Sequence, residues 1–130
     1  MRKKVKTTPL QREILRALAQ TGECSLPVLL GQLRLKFSQL SPAKLQGEVE
    51  RSLGILKRAG CLYLSRLIGD ERKNVPADEW TALGLGRMLS WDDEQGGWFV
   101  IEDHVSDVIV RLTNGGVKWL DLIAAQSNIT

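Results

Sequence analysis

The sequence predicts an α+β domain with a core of three short helices, a small antiparallel β-sheet and a closing C-terminal helix. Three observations carry that expectation. In the first half, apolar residues recur three or four apart in three successive stretches, the spacing of one helix face. Each stretch opens at a Ser or Thr with a proline one or two positions on, a cap followed by a residue whose missing N–H costs nothing there. In the second half, WFVIE (98–102) and DVIVRL (107–112) are rich in β-branched and aromatic residues and have strand character.

Taken in order, residues 1–7 form a basic arm ahead of a single domain over 8–130. Thr8 and Pro9 open a helix that runs through about Gln20, with Leu10, Ile14, Ala17 and Leu18 as its stripe and Thr21-Gly22 as its end. Ser25 caps a second helix with Leu26, Leu29, Leu30, Leu33 and Phe37 on one face, and Pro27 falls in its tolerant first turn. After a turn at 38–41, Ser41 and Pro42 open a third helix striped by Leu45, Val49, Leu53 and Leu56. Lys57 and Arg58 suit its C-terminus, Gly60 stops it, and CLYL alternates into a strand. IGDERKN (68–74) is polar and turn-like. PADEWTALGLGRML (76–89) is a weak helix with Trp80, Leu83, Arg87, Met88 and, just beyond it, Trp91 on one face. DDEQGG (92–97) is a loop. DHVS is short enough to join the two strands beside it as a hairpin, and Thr113 caps a last helix striped by Val117, Leu120, Ile123 and Ala124.

With 130 residues, 43% hydrophobic and 25% charged, the chain has the composition of a one-core globular protein. No run of about 18 apolar residues suggests a membrane span, and MRKKVKTT leads into no hydrophobic signal core, so a cytoplasmic location is expected. Cys24 and Cys61 read as reduced structural thiols, a disulfide being the lesser reading. No catalytic constellation emerges. The single histidine, His104, sits beside Asp103 in a turn, and Asp92, Asp93 and Glu94 are adjacent in sequence and point in different directions. Neither GLG (84–86) nor the glycine pair at 96–97 is followed by the residues of a phosphate loop. No metal or cofactor is expected.

The charge is divided. Residues 1–66 hold 13 Lys and Arg against 4 Asp and Glu, and residues 67–130 hold 5 against 11, so halves of +9 and −6 make up the net +3. A basic half of that size points to a polyanionic partner. Its sharpest feature is on the third helix: at about 100° per residue, Lys44, Gly47, Arg51, Gly54 and Arg58 share the face opposite the apolar stripe.

Two stretches, VERSLGILKRAGCLYL (49–64) and VIVRLTNGGVKWL (108–120), give the chain a resemblance to winged helix-turn-helix domains. Residues 49–64 resemble the end of a recognition helix and its following strand. Residues 108–120 resemble the last wing strand and an LTxxGxxxL lead-in to a C-terminal helix. The resemblance covers 8–67 and 98–126 and makes 68–97 an insertion before the wing. It implies a sequence-specific binder of double-stranded DNA, a transcription regulator, with helix 41–60 in the major groove. Lys44, Gln46, Gly47 and Arg51 would then read bases. Arg58, Arg12, Arg16, Arg34 and Lys36 would touch phosphates, and the arm, with Arg2, Lys3, Lys4 and Lys6, would follow the backbone or a minor groove.

Two features support an alternative, a winged-helix adaptor that binds protein and not DNA. Glu48 and Glu50 flank the basic face, and Glu102, Asp103 and Asp107 make the expected wing acidic. Trp80, Trp91, Trp98 and Trp119 all lie in the acidic half and read as core or interface packing. The Trp119 side of the last helix, or the Trp-bearing surface, is where a homodimer contact is expected.

Overall fold

The three N-terminal helices start where a hydroxyl side chain and a proline stand together. The structure, a computed structural model, describes residues 7–68, 71–75, 89–100 and 108–127. Helix α1 spans Pro9–Thr21 and opens with a reciprocal cap: Thr8 Oγ1 accepts from the Gln11 amide, and Gln11 Oε1 accepts from the Thr8 amide. Helix α2 (Leu26–Lys36) follows Ser25, whose side chain makes no capping bond. Helix α3 (Pro42–Arg58) is capped by Ser41 Oγ, which accepts from the Lys44 amide. It ends at Gly60, where φ is +78° and the Cys61 amide returns to the Leu56 carbonyl.

The architecture is α+β. Strands β1 (Glu23–Ser25), β2 (Leu62–Ile68), β3 (Glu71–Asn74) and β6 (Val108–Leu112) form one antiparallel sheet in the order β1-β6-β2-β3. Strands β4 (Leu89–Asp92) and β5 (Gly97–Val100) form a separate hairpin. The last helix, α4 (Asn114–Ser127), packs on α1. The core lies between the helices and the inner sheet face, where Ile14, Leu15, Leu18, Leu29, Leu30, Leu45, Val49, Leu53 and Leu56 meet Cys61, Leu64 and Val110. No helix among the described residues is long and apolar enough to cross a membrane.

The strand pairing corrects the expectation from sequence. The segment from Trp98 pairs backwards with β4, not forwards with DVIVRL. Asp92 decides this: its carboxylate accepts from the Glu94 and Gln95 amides, and Gly96 turns the chain at φ +69°, so DDEQGG closes a hairpin of its own. Trp91 and Trp98 face each other across it at 4.6 Å, edge to face. The partners of β6 are β1 and β2, and β3 extends the same sheet, so the chain leaves it after Asn74 and Val108 stands in it again, past the expected end of the insertion at residue 97.

Residues 71–74, expected as a turn, instead form the edge strand β3, fully exposed and charged, a composition that discourages further pairing. Strand β1 has no counterpart in the expected elements. Leu89 and Trp91 belong to β4, while 76–88, with Trp80, and 101–107, with the acidic wing and His104, lie outside the described residues. On α4, Val117 is exposed. Leu120 and Ile123 face inward as expected, joined by Gly116 and Trp119, while Ala124 is exposed with Val117.

Candidate nucleic-acid interface

Burying Leu45, Val49, Leu53 and Leu56 turns the other side of α3 outward. Lys44, Gly47, Arg51 and Arg58 are all exposed on it, and a side chain added at Gly47 would meet no atom within 4 Å. Arg51 is 72% exposed and lies 3.7 Å from Glu48, one turn back on the same helix. A pair this open and this long is worth about 0–1 kcal/mol, so the guanidinium is free to exchange partners. Beside Arg51, Ile55 is 44% exposed. It lines a groove of about 380 Å³ between α3 and the start of α1, together with Pro9, Leu10, Phe37 and Leu40.

Gln46 stands apart from the other expected base readers. It is half-buried, and its Oε1 accepts from Trp98 Nε1 at 2.9 Å, which ties the first turns of α3 to the β4–β5 hairpin. Arg34 is similarly engaged: its guanidinium carbon lies 4.5 Å from the Trp91 ring centroid, over the ring, and its Nε is buried with no hydrogen-bond partner. Neither side chain is offered to solvent as the resemblance implies.

Arg16 and Lys36 gather elsewhere. Glu13 pairs with Arg16 at 2.9 Å and with Lys36 at 2.8 Å, bridging α1 and α2. The Lys36 hydrogen bond holds the Glu13 carboxyl below its usual range, with Arg16 adding to it against partial burial. This cluster lines a groove that α4 closes with Leu120, apart from the groove shared by Lys44 and Arg51. Arg12 is half-buried on α1, and the arm cations Arg2, Lys3, Lys4 and Lys6 lie outside the described residues.

Sequence reasoning missed Lys57. Its Nζ donates to Asn74 Oδ1 at 3.2 Å and lies 5.7 Å from the Tyr63 ring centroid, and burial lowers its pKa. The two cysteines are buried and form no disulfide, and burial pushes the Cys61 thiol up to about 11. Among the described residues no group of three or more His, Cys, Asp or Glu side chains is placed to hold a metal.

The geometry thus keeps Lys44, Gly47, Arg51 and Arg58 together, engages Gln46 and Arg34 with the β4–β5 hairpin, and places Arg16 and Lys36 with Glu13 at a separate groove. No protein-family model, no curated protein and no solved structure matches the chain.

Proposed function

We propose that this chain is a winged-helix module that binds double-stranded DNA through α3 and acts as a sequence-specific regulator of transcription. The observation that carries the reading is the exposed, cationic and glycine-opened face of α3. The order α1-β1-α2-α3-β2, with β6 returning between β1 and β2, supports it as an arrangement in which α3 lies outward beside a small sheet. In this reading Lys44 and Arg51 contact base edges and Arg58 a phosphate, and the open space over Gly47 supports a close approach of the helix backbone.

The test is an anisotropy titration against duplex DNA at two salt concentrations. The native chain should bind in a salt-sensitive way, and Lys44→Ala with Arg51→Ala should weaken binding about tenfold or more. Salt-insensitive binding, no binding, or an unaffected double variant would remove the proposal.

An alternative reading, a protein-binding adaptor, rests on the apolar groove beside Ile55. It is preferred if Ile55→Asp abolishes capture of a protein partner while the native chain ignores DNA.

A further inference from the structure

The solvent face of the four-stranded sheet carries a recess that the DNA reading does not use. Strand register sets Glu23, Arg111 and Tyr63 side by side across β1, β6 and β2, with Ser65 two residues further along β2. From the edge strand β3, Arg72 reaches across this face and pairs with Glu23 at 3.1 Å. These five residues line a notch of about 210 Å³.

Its chemistry is one-sided. Two guanidiniums and two hydroxyls converge there against a single carboxylate. Arg111 is exposed and forms no ion pair among the described residues; its guanidinium carbon lies 5.7 Å from the Tyr63 ring centroid. Lys57 lies at the same distance from that ring and adds a third positive charge beside the notch. Two cations thus lie near the Tyr63 ring, and Glu23, the carboxylate beside Arg111, is paired with Arg72 instead.

Guanidinium forks joined by hydroxyl donors are the donor set of an oxyanion site. Glu23 occupies the place such an anion would take on Arg72. Its pair with Arg72 is half-exposed, 54% on the Arg72 side and 44% on the Glu23 side, so it contributes little and yields readily.

We propose that this notch binds the phosphate group of a small phosphorylated ligand. Arg72 and Arg111 would take its oxygens, with the Tyr63 and Ser65 hydroxyls donating to the same group. A recess of this size suits a compact phosphate and the first atoms that carry it, with Glu23 displaced from Arg72 as the phosphate enters. The proposal does not depend on DNA binding by α3.

The experiment titrates the isotope-labelled full chain with phenyl phosphate, followed by amide shifts, and then with duplex DNA. Saturable shifts are expected at 63–65, 72–74 and 109–111. Affinity should fall about tenfold in Arg111→Gln and again in Arg72→Gln taken separately, and stay unchanged in Lys44→Ala with Arg51→Ala. Two variants on different strands guard against one that merely misfolds, checked by far-UV circular dichroism. The proposal is overturned by an absence of saturable shifts, by identical shifts with sodium chloride at matched ionic strength, or by full affinity in both arginine variants. It is also overturned if Arg111→Gln weakens duplex DNA binding while phenyl phosphate gives no saturable shift, because the notch is then part of a nucleic-acid surface. Loss of DNA binding by the native chain, with phenyl phosphate still bound, removes only the α3 reading.

Discussion

Gly116 has no room for a side chain. A Cβ there would lie 2.1 Å from the Cys61 carbonyl oxygen and 2.4 Å from Leu112 Cδ1, so the first turn of α4 sits directly on the link between α3 and β2. Thr113 explains why the chain can approach so closely: its hydroxyl donates to the Gly60 carbonyl and accepts from the Gly116 amide, binding that link and the helix start through one side chain. The LTxxG pattern is therefore a docking device as well as a cap. Gly47 is the opposite case, exposed in mid-helix with open space where a Cβ would go. Alanine at the two positions should act with opposite sign. Gly47→Ala should stabilise by about 0.5–1 kcal/mol through helix propensity. Gly116→Ala should destabilise by about 2 kcal/mol or more, since a backbone carbonyl cannot move aside as a side chain can. Urea denaturation of both variants checks this, and a neutral Gly116→Ala would mean that α4 does not dock here.

At the scale of elements, the β4–β5 hairpin acts as a brace. It packs on α2 and holds the start of α3 through the Trp98–Gln46 hydrogen bond, with Arg34 lying on Trp91. Trp98→Phe keeps most of the buried ring and removes the donor, so it should cost about 1 kcal/mol. In a double-mutant cycle with Gln46→Ala the coupling should be of similar size, and zero coupling would show that the hairpin does not hold α3 by this bond. The same contacts show what could be read from the sequence. The helices were legible because each carries its own apolar period and start signal. Strand partners were not, because pairing is decided between residues far apart in the chain: the segment from Trp98 pairs with β4 across the Asx turn at Asp92, and β6 pairs with β1 and β2. Three-residue β1 is too short to show alternation, and β3 is exposed throughout, so neither left an apolar signature. The α3 face was legible for the reason the helix was, since spacing alone puts Lys44, Gly47 and Arg51 opposite the buried stripe. The contacts of Gln46 and Arg34 were not legible because the rings that engage them lie more than fifty residues away, on a hairpin the periodicity did not show.

Over the whole molecule, the separation of charge decides how binding should respond to salt. The surplus of nine positive charges in residues 1–66 is not all available to a polyanion: Arg16 and Lys36 share Glu13, Arg34 lies on Trp91, and Lys57 is held at Asn74. Arg12 and Arg66 are half-buried, so the most open cations are those of the α3 face, joined by Arg2, Lys3, Lys4 and Lys6 of the arm sequence. Each phosphate neutralised releases condensed counterions, so the logarithm of the affinity falls against the logarithm of salt by about 0.9 per contact on duplex DNA. Deleting residues 2–6 should therefore flatten that slope by up to about 3–4, the limit in which every arm cation meets a phosphate. Lys44→Ala with Arg51→Ala should flatten it less, since those residues are assigned chiefly to base edges, and should instead narrow the difference between preferred and random duplexes. The deletion should leave the melting temperature unchanged, because the first turn of α1 is closed by Thr8 and Gln11 and the core begins at Leu10. An unchanged salt slope after the deletion would assign the electrostatic contact to α3 alone. In that case a helix with three exposed cations must hold the duplex without a second anchor, and its affinity should already be lost at salt concentrations near physiological.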